Sequence, residues 1–538
     1  MVIAMILACT LSGYCQTVSN SSDSGAGSLR DAIESAQEGA TITFDAGITE
    51  IMIESVIEIT KNINIRKESG NRVRINAGFQ TRILDIRNAS VGFYNINFAN
   101  GNTVDGGAMR LNNSQVSVDN CRFENSVASG TMGRGGAIFI DNGSTASISN
   151  SVFQNNWSNS TGGAIADNSG DGNGLNLDNV QFIDNRVGVA PLGSQPGSGG
   201  ALFIYGRSMV NISNCIFTEN EAASEGGAIW NSAGDMNISN SSFIDNSIES
   251  LNSSRGGGAL YNNSGTINIE RSVFYENLAK PGANGGALSN GADGQINILT
   301  STLAFNQSDE EGGAIYSAGG GIFLNACTVS QNINGNEGAG LSLMDGGRIK
   351  NSIVASNGPS GNTDIDGNIT SQGYNIIGSG SGFTMNVETG DRINTDPLLD
   401  ALIYENDSRI YFPLMFNSPA YNGGDPADGF SDQLGQPVFG GVRDAGAFEA
   451  QDILSSIEET QDKSVMLYPN PASDYVFISD NNLTEYLNVD IYDADGRKVA
   501  APKPTNHDGM DISHLPKGIY FLMLQKENES FMAKFIKE

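Results

Sequence analysis

Residues 226–246 read Gly-Gly-Ala-Ile-Trp-Asn-Ser-Ala-Gly-Asp-Met-Asn-Ile-Ser-Asn-Ser-Ser-Phe-Ile-Asp-Asn. Two signatures are joined in this stretch, Gly-Gly-Ala-aliphatic at Gly226 and Phe-x-x-Asn at Phe243–Asn246. The first recurs with its leading glycine at Gly106, Gly135, Gly162, Gly199, Gly226, Gly257, Gly285 and Gly312, and a degraded ninth copy reads Gly338-Ala339-Gly340-Leu341. The second recurs at Phe153–Asn156, Phe182–Asn185, Phe217–Asn220 and Phe274–Asn277, then drifts to Leu303…Asn306, Val329…Asn332 and Val354…Asn357. Spacings of 27 to 37 residues are those of a stacked-repeat architecture.

Each repeat holds segments of four or five residues with period-two alternation, such as Ala146-Ser-Ile-Ser and Thr266-Ile-Asn-Ile, separated by Asn, Asp, Ser and Gly. No segment sustains a 3.6-residue apolar period, which excludes helical solenoids. The pattern predicts an all-β chain, a right-handed single-stranded parallel β-helix with one repeat per coil and equivalent residues stacked about 4.8 Å apart. Asn95, Asn120, Asn150, Asn179, Asn214, Asn240 and Asn351, three residues before the apolar anchor, are expected to form an asparagine ladder at a corner. The next position (Cys121, Ser151, Val180, Cys215, Ser241, Cys327 and others) is expected to be a small buried stack, the Phe residues an inward aromatic stack, and the glycine pair a corner without a Cβ penalty.

The paired motifs resemble the repeats of the polymorphic outer-membrane protein family over roughly residues 95–357. That resemblance implies a surface-exposed parallel β-helix involved in adhesion. It speaks for the fold more than for a function.

Formal charge is −31, and residues 101–360 alone hold ten Arg or Lys against 22 Asp or Glu. Nucleic acid and anionic membrane are therefore excluded as partners. Cys121, Cys215 and Cys327 share one coil position with Ser and Val and read as buried free thiols. The two histidines, His507 and His514, lie near the C-terminus, which removes histidine-dependent catalysis or zinc binding from the repeats.

Met1–Gly13 is short and apolar and reads as a signal peptide cleaved after Cys15, with a lipoprotein reading at Cys9 as the alternative. No other segment could form a transmembrane helix. Ser28 and Asp31 predict a short capping helix with Leu29, Ile33 and Ala36 on its apolar face, and the stretch from Ser22 to Asp45 resembles the SLRxAI-type start of secreted β-helix proteins. Coils are expected from Thr41. Asn417–Glu449 resembles the end of choice-of-anchor Q domains and is expected to close the last coil, with Asp425, Asp432, Arg443, Asp444 and Glu449 holding the cap together. Residues 451–463 are a polar, acidic linker.

Beyond the linker the composition turns to short β-branched and aromatic strands, which predicts a small Ig-like β-sandwich. Tyr468-Pro-Asn-Pro471, Tyr492-Asp-Ala-Asp-Gly496, Leu515-Pro-Lys-Gly-Ile-Tyr520 and a basic tail resemble the type A sorting domain of the type IX secretion system. This implies export across the outer membrane through that machinery, followed by surface attachment or release. The expected organisation is signal peptide 1–15, N-terminal cap 16–40, β-helix 41–359, terminal coils and cap 360–450, linker 451–463 and sorting domain 464–538.

Chemistry is sparse. Gly347-Arg348-Ile349-Lys350 looks like a polygalacturonase element, but no Asp pair and no Gly-His-Gly accompany it. Asp184, Glu219, Asp245 and Glu276 flank the Phe-x-x-Asn corner on successive coils, a stripe whose oxygens could take Ca²⁺ or simply be solvated. The residue after Gly-Gly-Ala-aliphatic should face outward: Phe139, Ala166, Phe203, Trp230, Tyr261, Ser289 and Tyr316. Phe203, Trp230 and Tyr261, with Tyr316 beyond, are the candidate binding residues, since exposed aromatic faces stack on sugar rings. A self-stacked ladder, or one covered by the insertion Arg186–Ser198, is the competing account. The sequence thus points to a secreted or cell-surface protein that binds an extracellular glycan or surface partner, with no resident cofactor. A β-helix polysaccharide lyase or glycoside hydrolase is the alternative.

Overall fold

The computed structural model describes residues 15–170, 174–188, 197–207, 209–249, 256–336, 338–359, 363–415, 417–451, 467–478, 488–493, 498–500, 509–526 and 529–538. The chain divides into two units, 1–451 and 452–538. The leader, the linker, Arg255 and most of the Arg186–Ser198 insertion lie outside the described residues.

The first unit is a parallel β-solenoid. In the coil that begins at Gly226, four strands follow one another: Ile229–Asn231, Asp235–Ser239, Ser242–Ile244 and Ser247–Glu249. Each pairs in register, parallel, with its counterparts in the coils on either side. First and second strands together build a 23-stranded sheet, because Leu260–Glu270 and Leu288–Leu299 run through both columns. Third strands form a 14-stranded sheet and fourth strands an 8-stranded one.

Three corners explain the residue choices. Between second and third strands the chain turns left-handed at Asn95, Asn120, Asn150, Asn179, Asn214, Asn240 and Asn351 (φ 48–60°), and Arg271, Thr300 and Ala326 adopt the same φ in coils lacking the asparagine. Between third and fourth strands the residue before the Phe-x-x-Asn asparagine is left-handed: Asn155, Asp184, Glu219, Asp245 and Glu276. At the third corner Gly226 has φ +62°, and a Cβ on Gly227 would overlap the carbonyl oxygen of Gly258 in the next coil.

The interior is a set of like-on-like stacks. Phe98, Phe123, Phe153, Phe182, Phe217, Phe243 and Phe274 stack with centroids 4.5–5.0 Å apart. The asparagine ladder runs elsewhere than expected. At the first corner it is intermittent: Asn179 donates to Asn150, but Asn150 and Asn214 donate to Asp119 and Asp178. The continuous, fully buried ladder is made by the Phe-x-x-Asn asparagines, Asn156, Asn185, Asn220, Asn246, Asn277, Asn306, Asn332 and Asn357. Asn220 Oδ1 accepts from the backbone N–H and the Nδ2 of Asn185 (3.1 and 3.0 Å). Its own Nδ2 donates to Phe182 O and to Asn246 Oδ1 (2.9 Å each). Asp364 ends the run by accepting both donors of Asn357. The reason is burial: a corner amide open to water need not pair with its neighbour, whereas a buried one must.

Cys121, Cys215 and Cys327 are free and buried, and burial pushes each thiol up to about 12. Their backbone N–H groups donate to serine hydroxyls of the next coil, Ser151, Ser241 and Ser352.

Both ends differ from expectation. Among the described residues the first strand is not at Thr41 but at Cys15–Val18, paired with Thr41–Phe44. Helix Leu29–Ser35 follows it, with Ser28 accepting from Asp31 N and with Leu29, Ala32, Ile33 and Ala36 in the core. Lys61 Nζ donates to the helix carbonyls of Ile33, Glu34 and Ala36. At the other end, the segment after Pro397 does not close the last coil but folds back along the outer face of the third strands. Ile410 packs on Ile244 and Val273, and Ala420 and Ala445 pack on Ile353 and Ile376. Ala447 N donates to Thr328 Oγ1 (3.0 Å), and Phe439 is exposed. Third strands put polar and apolar groups outward by turns, Arg122, Gln154 and Gln181 beside Val152, Ile183 and Ile216 in earlier coils, and the returning segment covers the apolar Ile244, Val273 and Ile353 of later ones.

The second unit has two antiparallel sheets. One holds Leu467–Tyr468, Tyr475–Ile478 and Gly509–Asp511; the other holds Lys498–Ala500, Asn488–Asp493, Gly518–Lys526 and Glu529–Lys537. Val476 and Met510 from the first meet Ile491, Leu522, Leu524 and Phe535 from the second in one core.

Asn220→Ala removes the acceptor of the Asn185 backbone N–H and of one Asn185 amide hydrogen, and the side-chain donor to Phe182 O and Asn246 Oδ1, so a loss of about 3 kcal/mol is expected. Asn211→Ala, in an exposed amide row, should stay within about 0.5 kcal/mol. Urea denaturation of the two variants side by side checks the contrast.

Candidate functional site

The row after each Gly-Gly-Ala-aliphatic motif is held in strict register, Phe139–Ala166–Phe203–Trp230–Tyr261–Ser289–Tyr316–Ser342. It lies outside the main core, as period-two alternation requires, since Ile138, Ile165, Leu202, Ile229 and Leu260 take the inward side. Phe203 and Trp230 stack with centroids 4.3 Å apart and planes within 2°. Trp230 and Tyr261 are further apart, at 6.4 Å and 19°. Ala166 and Ser289 interrupt the row on either side, so three rings stand together and Phe139 and Tyr316 stand alone.

Outward does not mean open at every coil. Phe139 is 0% and Tyr261 4% exposed, while Phe203, Trp230 and Tyr316 keep part of their surface in water. The cover includes residues just before each glycine pair, where Asp105, Arg134, Thr161, Ser198 and Glu225 bridge in a column of their own. Arg134 lies over the Phe139 ring at 4.2 Å and pairs with Asp105 (2.9 Å). Glu225 Oε2 accepts from the Trp230 indole N–H at 2.8 Å. Tyr316 donates to Met344 Sδ (3.3 Å), and burial raises its phenol. The sequence carried this signal in the residue preceding the glycines, which is Arg, Glu or Glu at the coils of Phe139, Trp230 and Tyr316. Tyr261 is thus a buried support for the Phe203–Trp230 stack, and Tyr316 is not continuous with it.

Asp184 pairs with Arg186 (2.7 Å). Asp245 and its stripe neighbours Glu219 and Glu276 follow in the next coils, and burial raises the Asp245 carboxyl, with Glu276 and Glu219 adding to it. No group of three metal-ligating side chains is gathered among the described residues. Lys350 bridges Asp425 and Asp428 at 2.8 Å each, and Arg348 lies over Phe323.

The cap cluster is built to hold backbone. Asp444 accepts from Asn422 N and Ala450 N, Glu449 from Phe439 N and Asp444 N, and Asp432 from Leu434, Gln436 and Glu449 N. Arg443, 1% exposed, lies over Phe430 and donates to the carbonyls of Asp444 and Gly446.

Residues 466–538 match the secretion system C-terminal sorting domain family, and residues 214–232 match the Chlamydia polymorphic membrane protein repeat. Comparison with curated proteins and with solved structures gives no match. The chain is a secreted β-helix protein with polymorphic membrane protein-like repeats. Its tail is a type IX secretion sorting domain, which directs it to the cell surface or beyond. Among the described residues no helix is long and apolar enough to cross a membrane.

Burial lifts the Asp444 carboxyl from 3.8 to about 7, and those of Glu449 and Asp432 also rise. A raised carboxyl favours the protonated native state, so its contribution is full below the unfolded value and is lost as pH climbs through the folded one. Hydrogen exchange of residues 417–450 should therefore quicken between about pH 4 and about pH 7 beyond its intrinsic increase, and Asp444→Asn should flatten part of that change.

Proposed function

We propose that this exported solenoid acts by binding, as an adhesin or surface structural protein that contacts an extracellular glycan through Phe203 and Trp230. The observation that carries this reading is the parallel, face-to-face stacked and partly exposed Phe203–Trp230 pair on a rigid face, with the indole N–H already satisfied by Glu225. Two rings locked parallel by stacking present a fixed apolar platform of ring edges that needs no ordering when a sugar settles against it. Tyr261 supports the platform from the next coil, and Tyr316 offers a separate single contact. A long stack of coils lets several weak contacts act together, which raises avidity without a deep pocket.

Trp230→Ala and Phe203→Ala should each lower retention on a glycan array about tenfold, a loss of roughly 1.4 kcal/mol. Tyr261→Ala should act mainly through stability, seen as a lower melting midpoint. Unchanged array binding in Trp230→Ala with an intact fold sinks the platform.

A further inference from the structure

A second concavity lies far from the aromatic row, on the outer face of the second strands in the N-terminal coils. It is an open groove of about 560 Å³, within the ~300–1,000 Å³ range of small-ligand sites. Two outward rows, two residues apart along the strands, form it. One runs Thr41–Asn64–Gly92–Ser117 and the other Arg66–Tyr94–Asp119.

The first row dips at Gly92, and the backbone does not require that glycine. Gly92 sits inside strand Ser90–Tyr94 with no left-handed φ, and the same position in later coils carries Ser117, Ser147, Asn176 and Asn211. A glycine in a strand interior weakens the strand and marks a place where another group comes close. Here a Cβ would overlap Asn64 Oδ1 and lie 3.2 Å from Ser117 Oγ, so the polar ends of both neighbours converge where a side chain would otherwise stand.

The second row is polar and fixed. Ser149 Oγ and Asn150 Nδ2 donate to one oxygen of Asp119 (2.9 and 2.7 Å), which sets the carboxylate's orientation. The Arg66 guanidinium stands 5.4 Å above the Tyr94 ring and pairs with Glu68 (3.1 Å). With Arg66 paired to Glu68, the groove carries no excess positive charge. Amide, hydroxyl, carboxylate and guanidinium groups at coil spacing suit vicinal hydroxyls, not an apolar ligand. A polyanion would meet Asp119 and a chain of net charge −31.

We propose that this groove binds an uncharged hexopyranose segment of a glycan, seated over Gly92 between Asn64 and Ser117, with Asp119 and Arg66 holding its hydroxyls. The site deepens the carbohydrate-binding reading, yet it shares no residue with the Phe203–Trp230 platform, so the two can fail separately.

The test titrates the full chain with cellopentaose, laminaripentaose, mannopentaose and penta-galacturonate by calorimetry, in a Trp230→Ala background that silences the platform. At least one neutral pentasaccharide is expected to bind. Gly92→Gln, which fills the groove, should weaken it about tenfold or more, and Asp119→Ala should do the same without altering the strand. Gly92→Ser, the residue this row carries at Ser117 and Ser147, should fold normally and weaken binding less. The groove is overturned if no neutral pentasaccharide binds, if Gly92→Gln and Asp119→Ala both bind like the parent, or if penta-galacturonate binds best. Loss in the Gly92 variants with unaltered binding in Trp230→Ala sinks the platform alone.

Discussion

In-register parallel stacking at about 4.8 Å is the constraint on which the rest of this solenoid depends. Every residue has its counterpart directly above and below, so a side chain must be able to satisfy a copy of itself. A phenyl ring does so by stacking. A carboxamide does so by donating one hydrogen to the next oxygen and the other to a backbone carbonyl. The buried run from Asn156 to Asn357 meets this demand at every coil, and Asp364, which accepts but cannot donate, is where it stops. The glycine pair follows from the same constraint: with successive coils this close, only hydrogen fits between Gly227 and the carbonyl of Gly258.

The outer surface obeys a different rule. Stacking repeats whatever faces outward, so apolar outward positions become apolar stripes that need cover. Later third strands carry outward Ile244, Val273 and Ile353, and the chain after Pro397 returns along them instead of sitting on the end of the stack. First strands acquire such a stripe in the aromatic row, where Arg134 and Glu225 cover part of the rings and leave Phe203 and Trp230 partly in water. Binding surface and structural cover are thus made of the same repeated positions.

Export and architecture come from separate parts of the chain. The sorting domain sends the protein to the cell surface or beyond, and the coils supply a rigid body with few titrating groups. The buried carboxylates of the returning segment, Asp432, Asp444 and Glu449, hold backbone amides, and the one lysine between two aspartates, Lys350, fastens the same segment to the coils.

Much of this was legible in the sequence, because a periodic fold writes its period into the chain. The coil length, the inward Phe stack, the left-handed asparagine corner, the capping helix and the sorting tail all follow from residue type and spacing. What local pattern cannot carry is which of two repeated asparagines is buried, since both read as turn residues; that depends on which corner the neighbouring coils close over. Nor could it show that Cys15–Val18 is already a strand, that the segment beyond Pro397 runs backward along the side, or that Tyr261 is covered while Trp230 is not. Gly92 reads as one glycine among 67 until the coils place Asn64 and Ser117 on either side of it. Alternation decides which way a side chain points, a property of one strand. Exposure depends on what the rest of the chain lays over it, and only the tertiary structure decides that.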